Sequence, residues 1–111
     1  MTIWQMLWLW IVNIMNDIVD LIQDVFKDNS GVKIKTGEIK ETVYCNVKSI
    51  GSQEFDKASA RGLKPQYCFE IFRFDYHGQS SLEYNNIPLR VYRTYIKGDL
   101  IELYTESGVG L

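Results

Sequence analysis

A chain of 111 residues can bury one modest hydrophobic core and is too short for a second. Its net charge of −2, mixed in sign, argues against a protein that binds nucleic acid through a broad basic surface, although a small local patch is compatible with it. Its two cysteines, Cys45 and Cys68, lie in apolar strand-like runs with no metal spacing and no disulfide framework. Such thiols are ordinarily buried as small hydrophobes, which favours an intracellular compartment; one disulfide between neighbouring strands is the alternative.

The chain begins "MTIWQMLWLWIVNIMN", without a charged residue and with all three tryptophans, Trp4, Trp8 and Trp10. It has neither the basic start nor the small-residue cleavage site of a signal peptide. The apolar run from Ile3 to Ile14 is shorter than the ~20 residues of a spanning helix and is broken by Gln5 and Asn13. Three readings remain: an interfacial anchor, a surface packed on a partner, or an upstream extension ahead of a start at Met15. The last two rank above the first, because an interfacial helix usually carries Lys or Arg on its polar face. The division is therefore an apolar extension over 1–16 and a single domain over 17–111.

From Asn16 to Asp28, Ile18, Leu21, Ile22, Val25 and Phe26 recur at helical spacing, whereas Val19, Leu21 and Val25 also fit a strand. Taken alone, the periodicity predicts a helix, ended by the turn residues of "KDNSG". The rest is β-rich. "IKTGEIKETVYCNVKSI" sets Val43, Cys45 and Val47 against Tyr44, Asn46 and Lys48, and "QYCFEIFRFDY" sets Tyr67, Phe69 and Ile71 against Cys68, Glu70, Phe72 and Phe74. "HGQSS" makes a turn, "NNI" joins "LEY" to "PLRVYRTYI", and "KGD", with Gly98 able to take positive φ, leads into "LIELYTE". Short one-sided strands with tight turns predict a mainly β (α+β) fold, a small antiparallel β-barrel or sandwich. Closure into a barrel would hide edges that aromatic strands otherwise expose.

Between the first two of these runs lies "SIGSQEFDKASARGLKP", too long for a hairpin turn. Ser52 is a suitable N-cap, Glu54 and Asp56 place acid in the first turn, Arg61 places base in the last, and Gly62 stands where a helix stops. The result is one inserted helix about 15 Å long. Phe55, Ala58 and Leu63 give it only a narrow apolar stripe. Either it plugs a barrel end through Phe55, or it completes its packing on another subunit.

No catalytic constellation emerges. His77 in "DYHGQ" reads as a solvated turn residue, Glu102 and Glu106 as solvated strand positions, and no phosphate-cradling glycine motif is present. No enzyme, cofactor or metal is expected. Arg90, Arg93 and Lys97 interleave with Tyr92 and Tyr95 as on a single-strand-binding sheet, yet Arg90 and Arg93 are an odd number apart and would point to opposite faces of a regular strand.

The succession "VKSIGSQEFDKASARGLKP", "YCFEIFRFDY" and "YNNIPLRVYRTYIKGDLIELYTE" resembles the head-closure (head completion, or stopper) proteins of tailed bacteriophages. The likeness runs from about Asp17 to the C-terminal glycines. It implies a small β-barrel with one helix inserted between strands, and an extended first strand where "DIVDLIQDVF" shows helical periodicity. We follow the resemblance there. It further implies a structural virion protein of the neck, made in the host cytoplasm, monomeric in isolation and a dodecameric ring in the particle. Its partners would be the connector adaptor above, the tail or tail-terminator protein below, and the packaged double-stranded DNA in the channel, with no membrane. Ser52, Glu54, Phe55, Gly62, Leu63, Lys64 and Pro65 would form the channel or adaptor contact. Arg93, Tyr95, Gly98, Asp99, Glu102 and Leu103 would belong to a structural closing hairpin. The alternative is a small nucleic-acid-binding barrel. The Trp-rich leader has no counterpart in the resemblance.

Overall fold

The computed structural model describes residues 2–6 and 15–108. Trp8 and Trp10 lie outside the described residues; Ile3 to Met6 form a helical turn in which Trp4 is 78% exposed. No described helix is long and apolar enough to cross a membrane.

The strands are β1 (Asp17–Asn29), β2 (Val32–Ser49), β3 (Pro65–Phe72), β4 (Ser81–Tyr84), β5 (Ile87–Lys97) and β6 (Leu100–Ser107), with helix α1 (Ser52–Ala60) between β2 and β3. Their order β1-β2-β3-β6-β5-β4 closes on itself, every pairing antiparallel, so the sheet is a closed barrel. The mainly β fold with one inserted helix is therefore as expected from the sequence.

The strand alternation fills the barrel. Val19 and Leu21 of β1, Val43 and Cys45 of β2, Phe69 and Ile71 of β3, Leu82, Leu89, Ile101 and Leu103 make one buried cluster. Tyr67, Phe69 and Tyr84 meet edge to face, with centroids 5.2–5.9 Å apart, and the Tyr84 hydroxyl donates to Asp17 at 2.7 Å. Thr105 is buried at a bulge in β3, where its hydroxyl donates to the Tyr67 carbonyl at 2.8 Å and replaces a lost ladder bond.

Turn chemistry closes the strands. Asn85 and Asn86 both have positive φ and form the two-residue turn between β4 and β5, so Ile87 belongs to the strand and not to the connection. Gly98, at φ +60°, turns β5 into β6. Ser30 and Gly31 turn β1 into β2, with Asp28 accepting from the Gly31 amide at 3.0 Å. After β3 the chain leaves the strand pattern: Arg73–Asp75 is a 3₁₀ turn, and Phe74, expected to continue the alternation, is exposed.

Residues 17–27 are strand and not the helix that periodicity alone predicts. Only Val19, Leu21 and Ile22 of the segment are buried, whereas Ile18, Val25 and Phe26, which completed the helical pattern, are exposed. The reason is that β1 and β2 outrun the barrel. β4 pairs β1 only over Asp20–Ile22 and β3 pairs β2 only from Asn46, while β1 and β2 stay paired to their tip at Asn29 and Val32. The excess is a two-stranded ribbon, and it draws the molecule out to 58 × 35 × 26 Å.

Candidate functional site

The inserted segment leaves β2 at Ser49 and returns at Pro65, at the barrel end opposite the ribbon. Gly51, not Ser52, occupies the N-cap, without a side-chain cap bond; Ser52 is the first helical residue. The stop is as the sequence predicts. Gly62, at φ +83°, donates its amide to Ser59 O, and Leu63 donates to Ala58 O, the paired bonds of a Schellman motif.

The helix does not plug a barrel end. It lies along the outer wall, with Ala58 buried to 2% exposure and Phe55 left 47% exposed. What holds it is polar. Glu54 accepts from Arg93 Nε at 2.8 Å and from the Tyr92 hydroxyl at 3.3 Å, and the Arg93 guanidinium lies 4.2 Å from the centre of the Tyr104 ring. Burial, with the Glu54 charge beside it, pushes the Tyr92 phenol up to about 12, so it stays a donor at neutral pH.

Arg90 and Arg93 share this outer wall, contrary to the expectation that they face opposite ways. β5 carries a bulge at Tyr92, so Arg90 stands opposite Glu106 and Arg93 opposite Tyr104, two positions along one face of β6. Odd spacing implies opposite faces only in a regular strand. Each of these cations is paired. Arg90 bonds Glu106 through Nε at 2.6 Å and through its terminal nitrogen; Lys97 is 3.5 Å from Glu70; and Lys48 reaches Glu70 at 2.8 Å and Glu102 at 3.2 Å.

Glu102 and Glu106 are consequently buried, not solvated as expected, and Glu70 joins them. Burial alone would push Glu70 up, but the hydrogen bond from Lys48 and the charges of Lys48 and Lys97 outweigh it and hold the carboxyl below its ordinary value. The sequence hides this ladder because its members are scattered over β2, β3, β5 and β6. Only the cross-strand register brings them together.

The remaining predicted residues fall into two groups. Lys64 and Pro65 join the segment to β3: the Lys64 carbonyl accepts from the Ser107 amide at 3.0 Å, and Pro65 pairs with Glu106. Tyr95, Gly98, Asp99 and Leu103 lie on the β5–β6 hairpin, where Leu103 is core, Tyr95 is exposed, and Asp99 accepts from the Arg73 amide at 2.8 Å. Ser52, Glu54 and Lys57 border a cleft of about 440 Å³ whose floor includes Lys48, Cys68, Glu102 and Tyr104.

Both cysteines are free and buried, and alternation places Cys45 inside the barrel and Cys68 on its wall, so the disulfide alternative falls. Burial pushes both thiols up to about 12, which leaves them protonated and unreactive. His77 is exposed, 3.7 Å from Glu41. Among the described residues, no group of three or more His, Cys, Asp and Glu is placed to hold a metal ion. No protein-family model matches the chain, and no curated protein matches its sequence.

Proposed function

We propose that this chain is a structural head-closure component of a bacteriophage head-to-tail connector. Copies form a ring below the portal and its adaptor, retain packaged double-stranded DNA and offer the tail a docking face. The observation that carries this reading is the inserted segment. It is stopped by its own glycine, yet it is held to the barrel by one buried alanine and one charged latch, with Phe55 turned outward. Such a segment suits contact and not catalysis.

The mechanism is physical gating. DNA under pressure presses on a narrow ring, and many copies of a short segment supply a barrier that one copy could not. Weak contacts between copies suit assembly on a template ring, where avidity makes them sufficient. Native mass spectrometry of the chain, alone and mixed with the product of the adjacent adaptor reading frame, tests the reading. A monomer that becomes a ring on the adaptor is expected; a stable dimer with no adaptor binding would sink it.

The rival reading, a nucleic-acid-binding barrel, gains from Arg90 and Arg93 sharing one face. It loses because both are spent on carboxylates. Salt-sensitive binding of single-stranded oligonucleotides by the isolated chain would favour it.

A further inference from the structure

Where α1 faces β5, a cleft of about 400 Å³ is lined by Glu54, Lys57 and Ala58 of the helix, by its C-cap Arg61, and by Tyr92 and Arg93 of the strand. It holds three cations and one carboxylate. Glu54 is spent on Arg93 Nε and the Tyr92 hydroxyl, while the terminal nitrogens of Arg93 make no hydrogen bond among the described residues. Lys57 and Arg61 are exposed, and among the described residues neither makes an ion pair. A basic residue in the last turn of a helix suits its dipole, but that effect does not choose a face. The spacing does choose one. Glu54, Lys57, Ala58 and Arg61 follow i, i+3, i+4 and i+7, so both cations share the face that carries the buried alanine and the latch. Like charges four residues apart repel, and Arg93 adds a third cation across the cleft. An anion among them relieves that repulsion.

We propose that this cleft takes the phosphodiester backbone of double-stranded DNA, with Lys57 and Arg61 neutralising phosphates and the terminal nitrogens of Arg93 donating to one. The cations stand on long exposed stems, and the chain has no glycine-rich loop whose amides would enclose a single small phosphate. Such a site gains its affinity from counterion release along a polyanion. Arg93 is already paired with Glu54, so it orients the backbone, while Lys57 and Arg61 supply the free charge. The choice of phosphate rests on the charges of the cleft; the choice of double-stranded DNA as its source rests on the connector reading. Neither Lys57 nor Arg61 is among the contact residues that the resemblance implies. Their position turns the outer wall beneath α1, and the inserted segment with it, toward the DNA channel instead of the adaptor.

Fluorescence anisotropy of a labelled mixed-sequence duplex, titrated with the full chain across a salt series, tests it. Two neutralised phosphates predict a slope of log K against log salt of about −1.8, a loss of about tenfold between about 50 and 200 mM. Lys57→Gln combined with Arg61→Gln is expected to flatten the slope to near zero with an unaltered circular dichroism spectrum, since both side chains are exposed. Lys27→Gln combined with Lys33→Gln gives the same net charge but lies on the ribbon, at the other end of the barrel, and is expected to keep the parent slope. No duplex binding at about 50 mM salt, equal losses in the two double variants, displacement by inorganic phosphate at the concentration of the duplex's own phosphates, or tighter binding of a single strand than of the duplex would each overturn the proposal. Ring formation on the adaptor, read by native mass spectrometry, separates the two failures. A ring that forms from a chain without duplex binding removes the cleft and leaves the connector reading; cleft-dependent duplex binding without a ring does the reverse.

Discussion

β1 is paired with β2 from Asp17 to Asn29, yet the two halves of this hairpin obey different physics. In the barrel half, Val19 and Val43 face each other and are buried because β3, β4 and β6 complete the wall around them. In the ribbon half, Gln23 faces Ile39 and Lys27 faces Ile34 on the continuation of the same face, and both isoleucines are exposed. Antiparallel pairing continues along the hairpin, with one bulge at Thr36 after which Ile34 and Val32 still stand on the inner face. What changes is the number of neighbouring strands, so burial here is a property of closure and not of the strand's own sequence.

Matched truncations should break or sharpen that contrast. Phe69→Ala, in the centre of the closed wall, is expected to cost about 3–5 kcal/mol, with a cavity that the surrounding ring cannot collapse to fill. Ile34→Ala on the ribbon is expected to cost at most about 0.5 kcal/mol in the isolated chain. Urea melts of the two variants decide this. A loss of 2 kcal/mol or more at Ile34 would mean that the ribbon is already covered in the monomer.

The next largest effect lies on the outer wall. Glu70 is buried and bonded by Lys48, and its pKa is lowered in the folded state. Its contribution is therefore fully present above the ordinary carboxylate value of 4.5 and is lost as the pH falls through the lower folded value. Glu70→Gln should flatten the acid limb of the stability profile and cost about 1–3 kcal/mol at neutral pH, because Lys48 keeps only Glu102. Acid melts in which mutant and parent run parallel would remove Glu70 from the account. Glu54→Gln, by contrast, opens a more exposed pair and should cost about 0.5–1 kcal/mol. Its clearer sign is local: faster hydrogen exchange at amides 55–63, with the barrel unchanged.

The same division explains how much the sequence could reveal. Wherever the barrel closes, alternation was legible: Val43, Cys45 and Val47, or Tyr67, Phe69 and Ile71, sort as their patterns say. The stop at Gly62 was legible because positive φ selects few residue types, whereas the Asn85–Asn86 turn was read one residue too long, as "NNI". β1 misled because Ile18, Val25 and Phe26 are apolar without being buried by their own chain. Arg90 and Arg93 misled because nothing in "RVYR" marks the bulge that shifts their parity. The buried carboxylates were invisible for a third reason, since each is an ordinary outward strand position until Lys48, Arg90 or Lys97 lies over it. Of the candidate site, local chemistry marked the helix and its stop, while its anchor, Glu54 on Arg93 and Tyr92, is a long-range fact.

The smallest expected effect, at Gly37 of the ribbon, is read beside a glycine of the inserted segment. Gly62 sits at φ +83°, where an added side chain is strained whatever the space, so Gly62→Ala should cost about 1 kcal/mol and loosen the end of α1. Gly37 lies outside the positive-φ region with open space around it, so alanine there restricts the unfolded chain without straining the folded one. Gly37→Ala should therefore stabilise the protein by about 0.4 kcal/mol, provided the ribbon holds its conformation until the barrel unfolds. A ribbon that opens independently would leave the melt unchanged, since the substituted residue would then be equally free on both sides of the transition. Paired urea melts of the two alanine variants thus report whether the exposed half of the hairpin belongs to the cooperative unit or waits for a neighbour to join it.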